Sequence, residues 1–137
     1  MYFDRRILIA DDDTEVRLGA AELLSGMGLE VLQAGTGTEA LDIFRRDSLD
    51  LALLDVHMPG RDGVEVFQTL RVEDPGLPCI LWSGDATDAV AQFLIRSGAA
   101  AFLRKPVQPR LLKDEIQRVL TSRPDGSDPT AGPTAEA

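Results

Sequence analysis

Several scarcities narrow this chain before any motif is read. It has one cysteine, Cys79, so no internal disulfide can form and a reducing, cytoplasmic setting is expected. That cysteine sits in the apolar run Cys79-Ile80-Leu81-Trp82, which reads as buried packing rather than a reactive thiol. Basic residues are few: 14 Lys and Arg stand against 23 Asp and Glu, a formal net charge of −9. That balance disfavours direct contact with nucleic acid and docking on an anionic membrane surface. No apolar run approaches the ~20 residues of a membrane span. Met1 to Arg6 has no hydrophobic stretch after it, so no signal peptide is expected. Aromatic residues make up only 5% of the chain, so one that flanks a site draws notice.

What is present suits one domain: 137 residues, 44% hydrophobic and 27% charged. Apolar runs at Ile7–Ala10, Leu51–Leu54, Pro78–Trp82 and Ala99–Leu103 read as strands covered on both faces. Glu30 to Ala34 mixes polar and apolar residues and reads as an edge strand. Five helical segments alternate with them. The first carries Val16, Ala20, Leu23, Leu24 and Met27 on one face, with Asp13 or Thr14 as N-cap and Gly28 as stop. The second runs from about Thr38 to Arg46 with Ala40, Leu41 and Phe44 inward, and the third from about Val64 to Glu73 with Val64, Phe67 and Leu70 inward. The fourth, from about Ala86 to Ser97, turns Val90, Phe93 and Leu94 inward and leaves Ile95 off that face. The fifth starts near Gln108-Pro109 and aligns Leu112, Ile116, Val119 and Leu120. Alternating strands and helices predict an α/β fold: a doubly wound, five-stranded parallel sheet of order 2-1-3-4-5, flavodoxin-like. Residues 1–121 form the expected domain. Residues 122–137 hold three prolines and nothing apolar larger than alanine, which predicts a disordered tail or a truncated linker.

Ligands of such sheets bind beyond the carboxyl ends of the strands, at the switch point. The first strand delivers Asp11 and Asp12 there, the third Asp55, the fourth Ser83-Gly84-Asp85, and the fifth Arg104-Lys105-Pro106. Carboxylates ~4 Å apart repel by about 4 kcal/mol per pair at an effective dielectric of ~20. A cation must sit among them, or their pKa values must rise. Hard oxygen ligands suit Mg2+, and Lys105 adds a second positive charge. A carboxylate flanked by both can attack a phosphoryl donor and become an aspartyl phosphate.

In combination, the acidic pair in ILIADDD, the block LLDVHMPGRDG, the hydroxyl of LWSGDA and the Lys-Pro of FLRKP are specific. The chain resembles a receiver domain of two-component response regulators, chemotaxis-regulator-like, over about Arg6 to Leu120. That resemblance implies that Asp55 is the phosphoacceptor, served by a sensor histidine kinase. Asp12 would ligate Mg2+ directly, Asp11 through water, and the backbone carbonyl of His57 would be a third protein ligand. Ser83 would hydrogen-bond the phosphoryl group and Lys105 would pair with it. Phe102 would be the switch aromatic, and the Lys105-Pro106 bond is often cis in such domains. Gly84 stands where alanine is more usual, which leaves more space beside the phosphoryl group. The implied output is a changed surface of the fourth helix, fifth strand and fifth helix. It would control a partner protein or an attached output domain, with a phosphorylation-dependent dimer as a further form.

Plainer readings stand beside these. Asp13 and Asp62 read as helix-start residues, Trp82 as packing and a fluorescence reporter, and Glu15 and Arg17 as a solvated face. Phe102 reads either as core or as switch. His57, two residues past Asp55, reads either as an exposed loop histidine or, with Asp85, as a control on water access and phosphoryl lifetime. Two other functions remain open: a phosphatase or phosphotransferase that works through an aspartyl phosphate, and a binding module indifferent to phosphorylation. The first lacks an insertion long enough for a substrate cap.

Overall fold

A computed structural model describes residues 4–122. The elements, in chain order, are β1 (Arg6–Ala10), α1 (Thr14–Ser25), β2 (Glu30–Ala34), α2 (Gly37–Arg46), β3 (Leu51–Asp55), α3 (Gly63–Glu73), β4 (Cys79–Ser83), α4 (Asp88–Arg96), β5 (Ala101–Arg104) and α5 (Pro109–Thr121). The five strands form one parallel sheet in the order β2-β1-β3-β4-β5. Strand order reverses between β1 and β3, where Ala10 lies beside Leu54 and the two chains leave the sheet in opposite directions. This is the doubly wound, flavodoxin-like architecture that the alternating pattern predicts.

Side chains alternate along each strand, so one sheet feeds two apolar layers. Leu8, Ala52, Leu54 and Leu81 pack under α2, α3 and α4 with Leu41, Phe67, Leu70 and Leu94. Ile7, Ile9, Leu53, Ile80 and Trp82 pack under α1 and α5 with Leu24, Leu112, Ile116 and Leu120. Each fully buried Leu or Ile contributes about 1.5–3 kcal/mol, and these rows hold the strand ends in register. Cys79 lies in this core, and burial pushes its thiol up to about 12, so it stays an unreactive filler.

Capping fixes where the helices begin. The Asp13 carboxylate accepts from the Glu15 and Val16 N–H groups, and the Asp62 carboxylate accepts from the Glu65 N–H. Thr36 and Thr87 cap α2 and α4 in the same way. Gly28 and Gly98 take the left-handed backbone (φ 92° and 107°) just past α1 and α4. Gly63 answers a different need. A Cβ there would overlap the Asp55 carbonyl, so only glycine lets α3 start this close to the end of β3. The Gly63 N–H donates to the Val56 carbonyl (2.8 Å), closing the loop that carries His57.

Some expected faces shift. Phe93 does not turn inward; it is 41% exposed. The inward row of α4 is Val90 and Leu94, four apart, and Phe93 sits a hundred-degree step away from Leu94. In α3 the buried residues are Val66, Phe67 and Leu70, while Val64 is half-buried. Ile43 joins Ala40 and Leu41 under α2. The fourth strand runs one residue further than expected and ends on Ser83, and the fifth starts at Ala101 rather than Ala99. The expectation for residues 122–137 falls, beyond Ser122, outside the described residues. Among the described residues no helix is long and apolar enough to cross a membrane.

Candidate functional site

Three carboxylates meet where β1 and β3 end. Asp11 follows β1 and is fully buried; Asp55 is the last residue of β3 and is 5% exposed; Asp12 is exposed at the rim. One oxygen from each lies within 4.8 Å of the others. Lys105, just past β5, reaches in from the far side. Its Nζ donates to Asp11 Oδ2 at 2.8 Å and lies 3.4 Å from Asp55 Oδ1. The sheet explains this meeting, because parallel strands deliver their last residues to one edge, and Asp55 stands level with Trp82 of β4. The Lys105 ammonium also lies 5.2 Å from the centroid of the Trp82 ring. Among the described residues the buried Trp82 Nε1 has no hydrogen-bond partner.

One ammonium faces three carboxylates, and the imbalance shows in Asp55. Burial, then repulsion from Asp11, pushes its carboxyl up to about 6, against the opposing pull of Lys105 and the His57 N–H. Burial works to lower the Lys105 ammonium, but the hydrogen bond to Asp11 and the charges of Asp55 and Asp11 raise it overall. Asp11 is the hub of the arrangement. Its second carboxylate oxygen accepts from the Asp13 N–H (2.9 Å), and its own N–H donates to the Ala34 carbonyl (3.0 Å). The donor set is all hard oxygen with a shortage of positive charge, which fits a small divalent cation such as Mg2+.

A second group of residues sits beside the first. Ser83 ends β4 with its hydroxyl buried. That hydroxyl donates to Asp85 Oδ1 (3.1 Å) and accepts from the N–H groups of Asp85 (3.2 Å) and Ala86 (3.0 Å). His57 Nε2 approaches the same Asp85 oxygen at 3.3 Å, so the loops after β3 and β4 touch. Gly84 is exposed between them. The structure therefore brings Asp11, Asp12, Asp55 and Lys105 into one cluster, and Ser83, Asp85 and His57 into a neighbouring one. Phe102 lies apart from both. It is half-buried against the α4 layer, and the Arg104 guanidinium lies 5.2 Å from its ring centroid. The Lys105-Pro106 bond is cis.

Two arginines matter more than the sequence suggests. Arg17 is no mere solvated residue: Nη1 donates to the Asp11 carbonyl (2.7 Å) and Nε to Gln33 Oε1 (3.1 Å), tying the acid-bearing loop to β2. A signal existed. Arg17 lies one turn into the helix that the acids precede, and helical side chains lean toward the N-terminus. Arg104 donates to the Ala86 carbonyl (2.6 Å) and to Asp88 Oδ1 (2.8 Å); its only sequence signal is its place beside Lys105.

Comparison with known proteins agrees with this geometry. Residues 7–117 match the response regulator receiver domain family. The chain is 30% identical over 117 residues to sporulation initiation phosphotransferase F of Bacillus subtilis, covering 85% of this chain and 94% of that protein. It is 34% identical over 122 residues to the DNA-binding response regulator MtrA of Mycobacterium tuberculosis, covering 88% of this chain and 53% of that protein. The chain thus spans about half the length of that relative, and only 31% and 17% of two others. A crystal structure of a CheY-like receiver domain protein from Methanospirillum hungatei superposes with a TM-score of 0.85 at 32% identity, covering 90% of this chain and 98% of that one.

Proposed function

The chain belongs to the response regulator receiver domain family of two-component signalling, and from that premise we propose that Asp55 is its phosphoacceptor. The observation that carries this reading is a buried carboxylate at the switch point, within reach of one lysine and two further acids. In the proposed step an Asp55 oxygen attacks the phosphorus of a kinase phosphohistidine. An O–P bond forms, the N–P bond breaks, and the electron pair leaves with the imidazole. Lys105, already 3.4 Å from Asp55, neutralises charge on the transferring oxygens. Asp11 holds the Lys105 ammonium in that position. Asp11, Asp12 and Asp55, with the backbone carbonyl of His57, would hold Mg2+. When bound, it supplies further positive charge to the phosphoryl oxygens and relieves the repulsion that raises Asp55.

Phosphorylation adds roughly −1.5 to −2 charge and strong acceptor oxygens beside Ser83. Drawn to them, the Ser83 hydroxyl leaves its present partners, and Phe102 turns into the space behind it. The surface of α4, β5 and α5 then changes. Phe93 and Ile95 of α4 are exposed apolar side chains that such a surface can offer. The partners in this reading are a sensor histidine kinase and a downstream protein or attached output domain in the cytoplasm, with a dimer as a further phosphorylated form.

Incubation with acetyl phosphate and Mg2+, followed by mass and oligomeric state, tests the reading. We expect one added phosphoryl group at Asp55. No added mass, or mass placed elsewhere, would overturn the assignment, and turnover of a generic phosphate ester would favour an enzyme instead. His57 and Asp85 tune the lifetime of that group in this proposal, because their contact joins the loops that follow Asp55 and Ser83. His57→Ala and Asp85→Ala should each change the hydrolysis rate by up to about ten-fold, the equivalent of ~1.4 kcal/mol, without blocking phosphorylation. An unchanged rate in both variants would remove the tuning role.

A further inference from the structure

The peptide at Ala86 is gripped from both sides. Its N–H donates to the Ser83 hydroxyl (3.0 Å), and its carbonyl accepts from Arg104 Nη1 (2.6 Å). The same guanidinium lies 5.2 Å from the centroid of the Phe102 ring, so Ser83, Ala86, Arg104 and Phe102 form one continuous chain of contacts. We propose that Arg104 is the positioning residue that makes the Ser83 hydroxyl and the Phe102 ring change state together. The proposal rests on Asp55 being the phosphoacceptor.

The physical case turns on which contact of Arg104 carries weight. Its ion pair with Asp88 is short (2.8 Å), but Asp88 is almost fully exposed, and such pairs contribute little. The bond to the Ala86 carbonyl is different. Ala86 is buried, and the acceptor is a backbone group on the loop that follows the switch hydroxyl. In the resting arrangement the Ser83 proton is committed to Asp85, the Ala86 peptide is held, and Arg104 lies against the face of Phe102. When Ser83 turns to the phosphoryl group, the bond to the Ala86 N–H is lost. The peptide then shifts and carries the guanidinium off the ring, and Phe102 is free to move. Lysine could keep the charge near Asp88, but it lacks the planar fork that spans Asp88, the carbonyl and the ring at once.

The test uses the full chain with fluorinated phenylalanine, of which there are five, the Phe102 resonance being assigned by Phe102→Leu. Loading with beryllium fluoride and Mg2+ is followed in parallel by Trp82 fluorescence. In the native chain both signals should move together. In Arg104→Ala and Arg104→Lys, half-saturation seen by Trp82 should shift less than about two-fold, while the Phe102 response to loading falls at least about three-fold. Asp88→Ala should retain the full Phe102 response. A full response in both Arg104 variants, or its loss in Asp88→Ala, would overturn the coupling role. Absence of any Trp82 or Phe102 response in the native chain would instead defeat the phosphoacceptor reading beneath it.

Discussion

Asp55→Asn is expected to abolish phosphoryl transfer and, at the same time, to make the metal-free protein more stable at pH 7. The two effects share a cause. The Asp55 carboxyl is pushed up from an ordinary 3.8 to about 6 by burial and by Asp11, so its ionised form is held at a cost in the folded state. Below about 4 both folded and unfolded chains are protonated at this position and nothing is lost. Between about 4 and 6 the folded state keeps a proton that the unfolded state has released, so stability falls as pH rises. Above 6 the whole penalty is present, about 3 kcal/mol at most for a shift of this size. Asparagine removes the charge and keeps the shape. Denaturant unfolding without Mg2+ should show the variant about 2–3 kcal/mol more stable at pH 7 and level with the native chain near pH 4. A variant less stable at pH 7, or a difference that does not change with pH, would mean that Lys105 already balances the site. Only the carboxylate is a nucleophile, and bound Mg2+ pulls the Asp55 carboxyl back down, so the pH below which phosphorylation of the native chain fails should lie under the metal-free value of about 6 and rise as Mg2+ is withdrawn.

The sheet and the cluster of Asp11, Asp12, Asp55 and Lys105 were both legible in the sequence, for one reason. Parallel strands covered on both faces are continuous apolar runs, and whatever follows each run must stand at the same edge. Ser83 was legible for that reason too, although β4 lies one residue further along the chain than expected. What escaped notice depends on side-chain reach rather than on chain position. Arg17 and Arg104 look like surface charges in a sequence, yet each places a guanidinium on a backbone carbonyl of a site loop. Phe93 misled in the other direction. An aromatic next to Leu94 invites an inward reading, but α4 packs through Val90 and Leu94, and Phe93 falls outside that row. The contact of His57 with Asp85 joins residues 28 positions apart, so only the folded loops bring it about. Spacing could flag the two residues individually, as neighbours of Asp55 and Ser83, but not their meeting.

Lys105→Met tests the other side of the charge balance, and its expected result is a less stable protein that Mg2+ largely rescues. Methionine keeps much of the aliphatic stem and removes the ammonium. That ammonium donates to the fully buried Asp11 at 2.8 Å and lies 3.4 Å from Asp55. Removing one partner of a buried pair leaves an uncompensated charge, a loss of about 3–5 kcal/mol. Lys105 retains some exposure, which screens the pair, so about 2–3 kcal/mol is the figure to expect at pH 7. Without Lys105 to pull it down, the Asp55 carboxyl should rise further, and the pH at which phosphorylation fails should move upward with it. Added Mg2+ should raise the midpoint of unfolding more in the variant than in the native chain, since a cation that binds only the folded state stabilises it by mass action. Phosphoryl transfer should nevertheless stay low with Mg2+ present, because the charge facing the transferring oxygens from the β5 side is missing. Equal stability of variant and native chain without Mg2+, or an equal response to Mg2+, would show that Asp11 and Asp55 do not depend on Lys105. The double variant Asp55→Asn, Lys105→Met completes the cycle. With the Asp55 charge gone, loss of Lys105 should matter less than it does alone, and the difference measures the coupling between the two residues directly.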